Sequence, residues 1–419
     1  MPHAGPVFHT ALGLVSLLLL AFLFSEDWRH VPWRTVFCGV ALQIGFALLL
    51  IDVPGADRPM VWLNDAANAL HAATLAGTQF VFGYLAGGVL PFAETHPGAS
   101  FILAFQALPL VLTISALASL LFHWGVLQRI TGAFAWLLRG AMGISGPLAL
   151  GAAVHVFVGM IEAPLLVRPY LQRMQRGELF ALMTCGMAGV AGTVMIIYAS
   201  FLAPVVPNAL GNILIASIIS TPAGLAVAAL MVPFDPANRG EGRLVIDDPP
   251  VSAIDALVKG TMDGIPILAA IIATLIVTIA FVTLVNMVLG LFPAVAGGPA
   301  TLQRILALPF RPVMWLIGVP WAETGLAAGL MATKTVLNEF VAYLNFSSMS
   351  ADAFSPRTRM ILTYALCGFA NFGSLGITIG GLGAMVPSRR AEIVELGLRT
   401  ILSGTIATCM SGAVAGALV

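Results

Sequence analysis

Two glutamates stand where a carboxylate is costly. Glu162 sits at the centre of GMIEAPLLVRP, residues 159–169, two residues before Pro164, and Glu339 sits in TVLNEFVAYL beside Asn338. A charge at the depth of a bilayer costs a few kcal/mol even on lenient scales, so each glutamate needs a partner, a wet cavity or a proton. The chemistry open to it is to accept hydrogen bonds from hydroxyls, to hold a cation or to carry a proton. The plain alternative is a structural hydrogen bond within a helix bundle.

Other polar residues share this setting. Asn371 and Ser374, in FANFGSLGI, are three apart and so share one helix face, in a segment weakened by Gly368, Gly373 and Gly376. They suit either ligand binding or interhelical packing through small and amide residues. His155, in AAVHVFVG, is either a packing residue or a proton-linked group, since imidazole titrates near neutrality. Lys334 precedes Glu339 by five residues, placed to neutralise it or to snorkel. Asn338 is placed to orient Glu339 or to touch a ligand. Glu323, Asp65 and Asn64 fall near segment ends, where solvation is expected. Walker A, HExxH and GxSxG motifs are absent, so no enzyme and no cofactor is expected. The four cysteines lack metal or disulfide spacing and read as small packing residues.

The elements that carry these residues are membrane helices. Of 419 residues, 59% are hydrophobic and 9% charged, with a mean hydropathy of +0.98, against about 25% charged in soluble domains. Apolar runs recur at 7–24, 35–53, 101–123, 180–206, 209–233, 264–292, 360–386 and 396–418. Each is long enough to cross as a helix, and such unbroken hydropathy argues against a β-barrel. The first run lacks a basic leader and reads as a membrane helix, not a signal peptide. The net charge is zero, which leaves nucleic-acid binding without an electrostatic basis. Arg168, Arg173 and Arg176, and Arg389 with Arg390, mark two loops expected in the cytoplasm. The polar stretch 234–250 is expected there too.

The chain also repeats itself. LQRITGAFAWLLRGAMG, from Leu127, and LQRILALPFRPVMWLIG, from Leu302, are amphipathic pieces that each follow a long apolar helix. Behind each comes a segment interrupted by small residues and holding one glutamate. The spacing is 34 residues from Gln128 to Glu162 and 36 from Gln303 to Glu339. Another small-residue helix follows each. Two such halves with interrupted helices are a signature of secondary transporters, whose sites lie at the midplane. Glu162–Pro164 then reads as the broken tip of a re-entrant hairpin and Glu339 as its counterpart. The expected organisation is N-terminal helices with an interfacial segment over 1–100, a first repeat over 101–233, a cytoplasmic loop and interfacial helix over 234–262, and a second repeat over 263–419.

FVFG at 80–83, GMIEAPLLVRPYL, AGVAGTV, NEFVAYL and ALCGFANFGSLGITIGGLGAMVPSRR together resemble the concentrative nucleoside transporters, the NupC-like family. The resemblance spans most of residues 60–419. It implies an all-α, multi-pass homotrimer in a bacterial inner membrane, with roughly eight membrane helices and two re-entrant hairpins in an inverted repeat. It also implies nucleoside uptake coupled to a downhill cation through an elevator-like movement. Residue by residue, the resemblance assigns the nucleobase to the first hairpin tip with Glu162, and to Val194 and Phe369. It assigns ribose hydroxyls to Glu339, Asn371 and Ser374. A carboxylate with an amide and a hydroxyl can satisfy a diol, and such recognition discriminates strongly against analogues lacking a hydroxyl.

Two departures change the expectation. The family motif Gly-Gln-Thr/Ser-Glu-Ala-Pro-Leu here becomes Gly159-Met160-Ile161-Glu162-Ala163-Pro164-Leu165, so two polar base contacts are apolar. The two side-chain oxygens of the family's sodium site fall on His155 and Gly189, leaving only backbone carbonyls such as those of Val158 and Val190. The expectation is a nucleoside importer coupled to protons, not sodium, with His155 or Glu162 as the ion-coupling group and the lipid bilayer as its surroundings. The alternative is the same fold carrying a modified nucleoside or nucleoside-like solute. The interrupted hairpins and the lack of a signalling domain argue against a channel or receptor.

Overall fold

The computed structural model describes residues 4–52, 57–94, 100–235, 250–295 and 297–419. Most of the polar stretch 234–250 lies outside the described residues. Among them the fold is all helical, apart from one isolated bridge between Val295 and Gly298. The N-terminal helices are α1 (Ala4–Leu23), α2 (Trp33–Ala47) and α3 (Asp57–Phe82). A first set follows: α4 (Leu103–Gln106), α5 (Leu110–His123), α6 (Val126–Met142), α7 (Gly146–His155), α8 (Glu162–Leu166), α9 (Arg168–Leu171), α10 (Arg176–Ala188), α11 (Gly192–Leu202) and α12 (Ala209–Met231). The second set is α13 (Ala253–Leu289), α14 (Leu302–Leu316), α15 (Thr324–Val336), α16 (Glu339–Ser347), α17 (Pro356–Ala365), α18 (Phe372–Met385) and α19 (Arg390–Ala417).

The order is the same in both sets: long helix, amphipathic helix, helix–break–helix, broken helix, long helix. Equivalent members also pack on each other, α5 against α13 and α12 against α19. Five helices among the described residues are long and apolar enough to cross a bilayer: Trp33–Asp52, Leu103–His123, Ala209–Met231, Ala253–Leu289 and Pro387–Ala417. His9–Leu23 and Phe372–Met385 are shorter apolar helices. Helix α12 and residues 401–416 of α19 are buried almost all round, as uniformly apolar helices must be. Helix α13 instead exposes Ile276, Phe281 and Leu284.

Two apolar runs read as single spans are pairs of half-helices. Run 180–206 breaks between α10 and α11, where Gly189 is extended, and run 360–386 breaks between α17 and α18. Hydropathy is blind to these breaks because the residues in them are themselves apolar or small. The breaks meet: the Phe369 backbone N–H donates to the Gly189 carbonyl at 3.2 Å. Gly368 makes the approach possible, since a Cβ there would fall 2.8 Å from the Met187 carbonyl oxygen and 2.7 Å from Thr408 Cγ2.

The first hairpin breaks over 156–161, ahead of the Glu162–Pro164 tip expected from sequence. Glu162 opens α8 and Pro164 lies in its first turns, where a missing N–H costs nothing. Glu339 likewise opens α16 after the break at Leu337–Asn338. An acid in the first turn of a helix is favoured by the exposed N–H groups and the helix dipole. At one end of the molecule the two Arg-rich loops touch: Arg389 Nη1 donates to the carbonyls of Leu171 (2.7 Å) and Met174 (2.8 Å). In the FVFG stretch, Phe80 and Val81 are exposed, and Phe82 packs on Phe105 with ring centroids 4.9 Å apart.

Candidate functional site

The two hairpins and two helix breaks converge on one cavity of about 330 Å³. All nine residues assigned to substrate by the sequence line it: Met160, Ile161 and Glu162 from the first hairpin, Val194 from α11, Asn338 and Glu339 from the second hairpin, and Phe369, Asn371 and Ser374 from the α17–α18 break and the start of α18. Helix α13 closes the remaining side with Pro266, Ile271 and Thr274. No Lys or Arg lines the cavity among the described residues.

Glu339 is the organised charge. It is 4% exposed. Its Oε1 accepts from the Tyr198 hydroxyl at 2.7 Å and its Oε2 from Asn371 Nδ2 at 2.9 Å. Asn371 is not on a helix face with Ser374, as spacing suggested. It is the N-cap of α18, and its Oδ1 accepts from the Ser374 backbone N–H at 2.7 Å. A cap must present oxygen to a backbone N–H, so the amide can only present its NH₂ to the carboxylate. Asn338 repeats the device on α16, accepting from the Val341 N–H at 2.9 Å. The breaks thus supply both the polar groups and their orientation.

The opposite half of the cavity is softer. Met160 Sδ accepts from Thr378 Oγ1 at 3.3 Å, and Ile161, Val194 and Phe369 add apolar surface. The Glu162 carboxylate turns back onto the backbone N–H groups of Ile161 and Glu162. Gly159 allows this, because a Cβ there would collide with Glu162 Oε2.

His155 is not brought into the cavity. It ends α7, is 5% exposed, and its Nε2 has no hydrogen-bond partner among the described residues. It lies against Gly186, on which Met160 also rests: a Cβ there would meet His155 Cε1 at 3.1 Å and Met160 Cβ at 3.3 Å. Lys334 neither snorkels nor pairs directly with Glu339. It is fully buried, and Nζ donates to the Ala365 carbonyl at 2.8 Å and Thr408 Oγ1 at 3.0 Å, so it serves the carbonyl end of α17, where a cation is favoured. Glu323 is less solvated than expected, since Oε2 accepts from Ser355 N and Oγ at 3.2 Å each. Asp65 is exposed, and the Asn64 side chain lies outside the described residues.

Sequence reasoning missed Tyr198. It follows Val194 by four residues and so shares its face of α11, a signal that was available. Thr274 and Pro266 carried none, because α13 reads as apolar on every side.

Family models for the Na+ dependent nucleoside transporter match this chain at its C-terminal part over residues 212–416 and at its N-terminal part over 12–85, with a nucleoside recognition (Gate) model over 104–205. An uncharacterized transporter of Haemophilus influenzae is 37% identical over 98% of this chain and 97% of that protein. The chain belongs to the concentrative nucleoside transporter family. It is similar to the putative nucleoside permease NupX of Escherichia coli, at 35% identity over 98% of both chains. Its structure resembles that of CNTnw in an inward-facing substrate-bound state, with 34% identity, a TM-score of 0.87 and coverage of 99% of this chain and 98% of that one. As a concentrative nucleoside transporter the chain is a membrane transporter and not an enzyme.

Proposed function

We propose that this concentrative nucleoside transporter imports nucleosides by proton symport across a bacterial inner membrane, as a multi-pass homotrimer. The observation that carries the cargo is the Glu339 carboxylate, fixed by Tyr198 and Asn371 in a cavity lined by no Lys or Arg among the described residues. A ribose brings hydroxyl donors that this acceptor needs. A phosphate would face Glu339 and Glu162 with no counter-charge, so nucleosides are favoured over nucleotides. Glu339, Asn371 and Ser374 take the sugar, with Asn338 holding the start of α16. Glu162, Met160, Ile161, Val194 and Phe369 take the base. Cargo binding bridges the hairpins and helix breaks, which then carry it in an elevator-like movement.

The proton assignment rests on His155 and Gly189. Neither offers the side-chain oxygen that sodium prefers, although the family models carry sodium in their name. This reading gives the proton to His155, whose Nε2 has no hydrogen-bond partner among the described residues, or to Glu162, which lines the cavity. A second reading keeps the mechanism but makes the cargo a modified nucleoside. It is favoured by Met160 and Ile161, which give the base half few hydrogen bonds, and a competition panel of ribosides separates it from the first.

The test is radiolabelled uridine uptake into proteoliposomes, with proton and sodium gradients imposed separately. Accumulation on the proton gradient alone is expected. Accumulation only with sodium overturns the coupling assignment, and no uptake by folded protein on either gradient moves the cargo to the second reading.

A further inference from the structure

We propose that Lys334 is a tethered cation: its ammonium takes the place of a missing backbone donor at the end of α17 and so fixes the α17–α18 break against the second hairpin. In an unbroken helix the Phe369 N–H would donate to the Ala365 carbonyl, one turn back. Here it donates to the Gly189 carbonyl on the other break at 3.2 Å. The Ala365 carbonyl, on the last residue of α17, accepts instead from Lys334 Nζ at 2.8 Å. Nζ also donates to Thr408 Oγ1 at 3.0 Å. The Thr408 hydroxyl gives its own hydrogen to the Thr405 carbonyl at 3.1 Å, so towards Lys334 it is an acceptor. Tyr343 closes the same helix end, donating to the Thr363 carbonyl at 2.7 Å. Lys334 lies on α15 and Tyr343 on α16, so the second hairpin caps α17 from both of its arms.

Tyr343 shows that a neutral donor can cap a carbonyl here, so the charge on Lys334 needs its own reason. Among the described residues Lys334 is the only Lys or Arg that is buried, and a charge at this depth is costly unless something balances it. Two things do. The carbonyl end of a helix is the negative end of its dipole. The carboxylate that acts on Lys334 through space is Glu339, so the hairpin that brings a buried negative charge also brings a positive one. The first half is built differently. In the repeat α7 corresponds to α15 and α10 to α17. His155 ends α7, its ring bonds to the backbone of Leu182 in α10, and Nε2 has no partner among the described residues. A neutral imidazole suffices for that bond, so a cation is built into the second half alone. Phe369 and Asn371, which line the cavity, follow the capped end directly. That Lys334 places them for cargo rests on the nucleoside reading of the cavity, whereas the cation site does not.

The experiment compares wild type, Lys334→Met and Lys334→Ala in detergent, with and without methylammonium, by melting temperature and by equilibrium uridine binding. Lys334→Met keeps the stem and removes the charge and its donors. Its Kd for uridine is expected to rise about tenfold, as for one lost hydrogen bond from a charged group. Lys334→Ala leaves room for a small amine. Methylammonium is expected to raise its melting temperature, as a ligand of the folded state does, and to restore most of the lost affinity. Tetramethylammonium has the charge but no N–H and is expected to do neither, and methylammonium should move neither wild type nor Lys334→Met. A wild-type Kd in Lys334→Met overturns the inference, and so does a folded Lys334→Ala on which methylammonium has no effect. Where Lys334→Ala does not fold, Lys334→Met decides alone. Protection of Lys334→Ala by methylammonium, together with wild-type protein that binds no uridine, keeps the tethered cation and overturns the nucleoside reading.

Discussion

At the residue scale the decisive fact is that Glu339 is surrounded by donors. Tyr198 and Asn371 each present a hydrogen to one carboxylate oxygen. In Glu339→Gln the amide oxygen can still accept from Asn371 and the Tyr198 hydroxyl can turn to accept from the new NH₂, but one acceptor is lost and the charge that strengthens these bonds is gone. Hydrogen bonds to charged groups contribute about 1.5–3 kcal/mol each, so uptake should fall at least tenfold while the protein still elutes as a folded particle. Uptake at the wild-type level by folded Glu339→Gln would remove this residue from the site. The two glutamates were legible because charge is rare in such a composition. The partners of Glu339 were less so: Asn371 was visible as a residue, but its role as a cap was hidden, since spacing alone cannot tell a helix face from a helix start. Tyr198 was announced only by its spacing from Val194, and an aromatic in an apolar helix otherwise looks like packing.

At the scale of elements the fold works through helix ends brought face to face. The hairpins and repeat order could be read from Gly, Pro and the matching LQR pieces. The break inside the run 180–206 could not, because its residues are as apolar or small as those of the helices it divides, whereas Gly368, Gly373 and Gly376 marked the run 360–386 as weakened without showing where it breaks. Those breaks depend on the contact of Gly368 with Met187 and Ala188 across to α10. Gly368→Ala puts a methyl against backbone, which cannot move aside as a flexible side chain would. The Phe369 to Gly189 bond should lengthen or break, and overpacking of this kind costs about 1–3 kcal/mol. The expected outcome is a lower melting temperature in detergent together with weaker uridine binding, because Phe369 and Asn371 follow Gly368 directly. A variant that melts and binds like wild type would show that the two breaks do not depend on this approach.

At the scale of the whole molecule, the N-terminal helices are joined to both halves by charge. Glu26, in the turn after α1, accepts from Arg176 at 3.0 and 3.1 Å and from Arg399 at 2.9 Å, while Arg176 also reaches Glu395 at 2.8 Å. Glu26 lies 150 and 373 residues from its two partners, so nothing local in the sequence announced the cluster. Its composition alternates in sign, and the hydrogen bond from Arg176 holds the Glu26 carboxyl below its ordinary value of 4.5. A depressed acid stabilises the fold above its unfolded value and ceases to do so as pH falls through the folded one. The contribution is therefore complete at pH 7 and is lost as the pH falls from the ordinary carboxylate value of 4.5 through the lower folded one. The groups are partly exposed, so it should not exceed about 1 kcal/mol, or roughly 2 °C in melting temperature. Glu26→Gln should melt slightly below wild type at pH 7, and the gap should close as the pH is lowered towards 3. Other carboxylates titrate in the same range, so the gap between the two proteins carries the information and not either curve alone. A gap that stays constant across the titration would mean that Glu26 acts through packing and that charge does not join the N-terminal helices to α10 and α19.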